Sequence, residues 1–188
     1  MISMKKLLII ALLAITTIAN AQDHLMFKGV EINGTFKTFV ANLEKRGCKS
    51  GENFFGTFLI KADFAGVEML VYPQTTSQSQ TVYAVVAGTD GIKEEVSLKA
   101  QYDELKNLLA QKYGEGEVAT LSDGWYRNSI NKLERGNANK ALLFETETGK
   151  IYLYIHKSDR YGEVGSINIQ YIDKANEQLR LREANTDI

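Results

Sequence analysis

Cysteine, proline, histidine and tryptophan are all scarce in this chain of 188 residues, and each scarcity excludes something. A single cysteine, Cys48, forbids an internal disulfide, so the fold must be held by packing alone. Cys48 and two distant histidines, His24 and His156, cannot meet the ligand spacings of a zinc site. The acidic segment "TDGIKEE" lacks the alternating oxygen ligands of a calcium loop, so no metal is expected. One proline, Pro73, leaves no proline-rich linker to mark a domain boundary. There is no P-loop and no nucleophile elbow, and no cofactor is expected.

Positive charge is equally modest, with 22 Lys and Arg against 23 Asp and Glu. No basic patch or run argues for nucleic acid or for anionic lipid. The first residues, "MISMKKLLIIALLAITTIANAQ", read as a leader. Lys5 and Lys6 form a positive start, Leu7 to Ala19 an apolar core, and Ala19-Asn20-Ala21 a small-x-small cleavage signal. The apolar run is shorter than the roughly 20 residues a membrane span needs. Cleavage after Ala21 is therefore predicted, with the mature chain starting at Gln22. A lipoprotein would carry cysteine there, so no membrane anchor is expected, and the protein is placed in the periplasm or outside the cell. The leader removes two lysines, leaving 20 basic against 23 acidic residues and a formal charge of −3.

Hydrophobic spacing predicts two helices. In "TFKTFVANLEKRG", Phe36, Phe39, Val40 and Leu43 recur on one helical face, with Thr35 as N-cap and Gly47 in the left-handed position after the end. In "SLKAQYDELKNLLAQKYG", Leu98, Tyr102, Leu105 and Leu109 form the stripe, Ser97 caps and Gly114 stops. Each helix is followed by β-rich runs. The first set is "NFFGTFLIKADFAG", "VEMLVYP" and "TVYAVVAGTDG"; the second is "GWYRNS", "ALLFETETGKIYLYIHK" and "GSINIQYID", the middle run folding as a hairpin at Thr148-Gly149-Lys150. Strands that follow one another after a helix predict an antiparallel sheet. The expected class is α+β: an antiparallel sheet with two helices on one face, built as two tandem α-β-β-β units at about 25–92 and 93–173 within one domain over 22–173. "MFKGVEI" adds an edge strand before the first helix. The loop "LERGNANK" from Leu133 to Lys140 is an exposed connection. Residues 174–188, poor in apolar side chains, are expected to be a frayed or disordered tail.

Few residues are placed for chemistry. Cys48 has Lys45, Arg46 and Lys49 nearby, which favours a thiolate, but it follows a helix C-terminus, where the dipole disfavours one. It is read as a packed residue. "GEGEVA", Gly114 to Ala119, fits a dinucleotide fingerprint, yet a helix precedes it and Glu115 and Glu117 would repel phosphate, so it is rejected. No catalytic residue is assigned. The most suggestive stretch is "KIYLYIHK", where Ile151, Leu153 and Ile155 face one side of a strand and Tyr152, Tyr154 and His156 the other. That row, beside Asn168 and Gln170 and extended by Trp125 and Tyr126, is the candidate binding surface, because tyrosine combines a large rigid ring with a polar tip. The competing interpretation is that tyrosine is simply a good strand former.

The segments "HLMFKGVEINGTFKTFVANLEKRGCK", "DFAGVEMLVY", "YDELKNLLAQKYGEG", "ETETGKIYLYI" and "INIQYIDKANEQ", with the "NAQ" cleavage region, resemble a set of small exported proteins of Bacteroidetes. The resemblance covers nearly the whole mature chain, and it implies neither an activity nor catalytic residues. The helix-plus-strands pattern is also similar in outline to the beta-lactamase inhibitor protein and to small outer-membrane assembly lipoproteins, which bind proteins through sheet surfaces or loops. The expected function is a non-catalytic, exported binding module contacting a protein or a glycan of the cell envelope through an open sheet face. A second copy of the chain is a further candidate partner. The alternative is a hydrolase of unrecognised type acting on envelope or dietary polysaccharide through converging carboxylates or His156.

Overall fold

The computed structural model describes residues 23–52, 58–120, 140–157 and 161–186. The leader over 1–21, Trp125, Tyr126 and the loop up to residue 139 lie outside the described residues.

Two short strands, β1 (Met26–Phe27) and β2 (Val30–Glu31), form a separate hairpin, so "MFKGVEI" does not extend the main sheet as expected. Helix α1 (Phe36–Lys45) follows, then β3 (Lys49–Glu52), β4 (Phe58–Phe64), β5 (Val67–Thr75) and β6 (Val82–Gly88). Helix α2 (Glu95–Tyr113) opens a second series: β7 (Glu117–Thr120), β8 (Lys140–Glu145), β9 (Gly149–Lys157) and β10 (Gly165–Asp173). The last described element is helix α3 (Lys174–Asn185). Among the described residues, eight strands make one sheet in the order β3-β4-β5-β6-β10-β9-β8-β7, with every neighbouring pair antiparallel. The order reads symmetrically about the central β6–β10 pair. Among the described residues each of α1 and α2 is thus followed by four strands, where the expected unit was α-β-β-β and the runs read from the sequence were three after α1 and four after α2. The additional ones, "KSGE" and "EVAT", are outermost, and edge strands can dispense with the apolar alternation that marks central ones.

The class is α+β, with α1 and α2 on one face of the antiparallel sheet. Phe39, Val40 and Leu43 of α1 and Leu98, Leu105 and Leu109 of α2 join one buried cluster with Met69, Val71, Leu153, Ile167 and Ile169 of the strands. Phe36, at the start of the α1 stripe, stays outside it and meets Phe58 edge-on at 5.7 Å between centroids. Helix α1 ends as its sequence indicates. Thr35 accepts from the Thr38 N–H, and Gly47 takes φ +89°. The Gly47 N–H then reaches the Glu44 carbonyl and the Cys48 N–H the Leu43 carbonyl, closing the helix in a Schellman motif. Helix α2 departs from expectation at its start. It begins two residues before Ser97, with Glu94 in the capping position and making no side-chain bond, while Ser97 accepts from Gln101. Glutamates at a helix N-terminus complement its positive dipole end, which supports the earlier start.

Cys48 is therefore the residue after the helix-ending glycine, buried against the core. Burial pushes its thiol above the ordinary value, with Lys28 opposing weakly. The thiol should accordingly label with a disulfide reagent on the order of tenfold more slowly in the folded protein than after denaturation. Equal rates would remove the packed-residue reading.

The tail expectation fails. Residues 174–185 are helical, and the cause is polar. Asp173, fully buried, accepts from the Asn176 N–H at 2.9 Å as N-cap, from the Leu25 N–H at 2.7 Å and from His24 Nδ1 at 3.1 Å. Asn33 Oδ1 accepts from the Gly34 N–H, so Asn33 Nδ2 is turned to His24 Nε2 at 2.8 Å, and His24 is the Nδ1–H tautomer. Asn176 Nδ2 donates to the carbonyls of Ile32 and Val82. One buried carboxylate thus ties residues 24–25 to the junction of β10 and α3.

Candidate functional site

Helices α1 and α2 cover one face of the sheet; the candidate residues stand on the other. Strand alternation sends Ile151 and Leu153 into the core and leaves Tyr152, Tyr154 and His156 half-buried on the second face. Sheet register extends this into cross-strand rows that the sequence does not display. Tyr72 of β5, Val86 of β6, Gln170 of β10, Tyr152 of β9 and Leu143 of β8 are successive register partners. The adjacent row runs Leu70, Gly88, Asn168, Tyr154 and Ala141. His156 pairs with Ser166 in a third. Tyr72 and Tyr152 are three strand spacings apart, roughly 14 Å, and Tyr152 and Tyr154 are about 7 Å apart along β9.

The structure thus brings Tyr152, Tyr154 and His156 together as expected, with Asn168 and Gln170 alongside. It adds Tyr72, 42% exposed, and the apolar Leu70, Val86 and Leu143. Tyr72 was detectable in principle, because Met69 and Val71 point into the core and their alternates, Leu70 and Tyr72, must point out. Its alignment with Tyr152 depends on the β6–β10 pairing and is invisible in either half alone. Gly88 has a local reason: a Cβ there would come within 2.5 Å of Asn168 Oδ1, so glycine leaves room for that amide over the strand. Burial raises the Tyr72 hydroxyl above its ordinary value, with Asp90 adding to the rise. The two central rows offer rings, methyls and amides and contain no Asp, Glu, Lys or Arg.

Gln170 is the unusual member. It is 5% exposed, and among the described residues its side-chain amide makes no hydrogen bond. Buried amides are nearly always paired, because an unpaired one loses its water without replacement. Here the group lies in the row between Val86 and Tyr152, on the face that α1 and α2 leave uncovered.

Residues that could serve hydrolysis are arranged differently. Glu68, Asp90 and Glu104 line a cavity of about 460 Å³ beside the β4–β5 turn and α2, with Thr89, Ile92 and Gln101 and without histidine or cysteine. Among the described residues, no group of three or more His, Cys, Asp and Glu is placed to hold a metal ion. "GEGEVA" runs into β7 rather than into a helix, so the phosphate geometry of a dinucleotide site is missing. Among the described residues, no helix is long and apolar enough to cross a membrane. No family model, curated protein or solved structure matches the chain, and the site's own geometry carries the functional argument.

Proposed function

We propose that this chain is an exported, non-catalytic binding module that contacts a protein or glycan of the cell envelope through the second face of its sheet. The leader with its small-x-small signal supports export. One observation carries the binding reading: the rings of Tyr72, Tyr152 and Tyr154 stand exposed or half-buried on one sheet face, around a buried Gln170 amide that has no hydrogen-bond partner among the described residues. An unpaired buried amide costs stability, so a face that served packing alone would gain nothing from it. The rings around it provide contact area at low entropic cost.

Replacing Gln170 by methionine tests this directly. Methionine keeps the length of the side chain and removes the unpaired amide, so the domain should gain about 1 kcal/mol of stability in urea unfolding. Tyr72→Ala, on the exposed end of the same row, should lose about tenfold in affinity for the envelope partner through the missing ring contact. A Gln170→Met protein that is destabilised, or a Tyr72→Ala protein that binds its partner undiminished, would count against the assignment.

A further inference from the structure

Helix α3 is docked in a way unlike α1 and α2. Its buried residues are Asn176 and Glu183, both polar, and none of its side chains belongs to the hydrophobic core cluster. Leu181 is 48% exposed. At the first turn the helix is held by the Asp173 cap and by Asn176. Near its middle, Arg180, bonded to Glu177, lies over the Tyr83 ring at 5.3 Å. At the last turn the Glu183 carboxylate enters the β5–β6 turn. There it accepts from the Gln78 N–H at 2.7 Å, the Ser79 N–H at 3.2 Å and the Ser79 hydroxyl at 2.6 Å. Gln78 Nε2 reaches back to the Thr186 hydroxyl at 3.0 Å.

We propose that α3 is a detachable strap, locked at its far end by the Glu183 carboxylate in the Thr76–Thr81 turn and able to leave without unfolding the sheet. Elements with few buried apolar contacts open at lower free energy than the core they rest on. A carboxylate received by two backbone N–H groups and a hydroxyl is a strong but severable attachment, because it is charge-assisted and depends on one titratable group. The strap rests on Tyr83, whose hydroxyl donates to Gln74 at 3.2 Å, beside the Tyr72 row. Its release therefore bares a further aromatic ring next to the second face.

Acid is the natural release signal. The Ser79 hydroxyl and the two N–H groups hold the Glu183 carboxyl below its ordinary value. A lowered folded value means that the lock is complete above the ordinary glutamate value of about 4.3 and is lost as pH falls through the folded one. Neither the Thr76–Thr81 turn nor β6 contributes a charged side chain opposite Glu183. Arg180 and Arg182 belong to α3 itself, and Arg180 is engaged by Glu177.

Hydrogen exchange on the whole protein at pH 7 tests the strap. In Glu183→Ala, amides of residues 177–186 and of Gln78 and Ser79 should lose protection about tenfold or more, while those of α2, β9 and β10 stay within twofold of the wild type. Leu181→Ala should leave α3 exchange within about twofold, since apolar packing does not hold it. In the wild type, acidification should loosen α3 before the sheet, and Glu183→Ala should remove that step. Unchanged α3 exchange in Glu183→Ala, parallel loss of protection throughout the domain, or failure of that variant to fold would each overturn the proposal.

Discussion

Replacing Asp173 by alanine is expected to remove roughly 3–5 kcal/mol of stability, read as a lowered midpoint in urea unfolding. The carboxylate is completely buried and serves three donors from separate parts of the chain: His24, the Leu25 N–H and the Asn176 N–H. Alanine leaves two backbone donors without a partner in a site that water reaches poorly, and each such donor costs about 1–3 kcal/mol. It also removes the cap of α3 and the tie that holds residues 24–25 beside β10. Domains of this size are stable by about 5–15 kcal/mol, so the variant should sit near the edge of folding. Asparagine keeps one acceptor oxygen and should recover part of the loss. A cost below about 1 kcal/mol for alanine would show that the three bonds are dispensable.

The second large effect concerns binding. Exchanging Tyr152 and Tyr154 together for alanine should weaken partner binding by at least about 2 kcal/mol, close to 30-fold, because aromatic anchors at the centre of an interface carry most of its energy. The accompanying loss of stability should stay near 1 kcal/mol, the scale of cross-strand contacts on a half-exposed face. The core-facing neighbours Ile151 and Leu153, both fully buried, are the opposite case. Truncating either should cost about 2–5 kcal/mol through lost burial and the cavity left behind. The contrast between alternate residues of one strand separates a surface role from a packing role. A double tyrosine variant that unfolds like a core variant would identify the rings as structural.

What was legible in the sequence is what depends on local spacing. Thr35 and Gly47 bracket α1 because capping is decided within four or five residues, and the two apolar stripes follow from helical periodicity. The Tyr152, Tyr154 and His156 row is equally local, since alternation along one strand is enough to define it. The failures share a different cause. Helix α3 reads as a polar tail because its attachments are hydrogen bonds to residues more than 90 positions away, such as Gln78 and Val82, and no apolar stripe announces them. Strands β3 and β7 are outermost and carry little of the alternation that marks a central strand. At the candidate site, Tyr72 and Gln170 join Tyr152 in one row through the β6–β10 pairing. That pairing is a property of the closed sheet rather than of any segment.

We place the partner contact on the second face of the sheet and not on the face covered by α1 and α2. Photo-crosslinking in the native envelope addresses it most directly, with the reactive group placed at Leu143 on the second face or at Leu108, exposed on α2. A discrete protein or glycan adduct is expected from position 143 that disappears in the Tyr152→Ala/Tyr154→Ala background, and none from position 108. Adducts of equal yield from both positions, or an adduct at 143 indifferent to the two tyrosines, would contradict that placement.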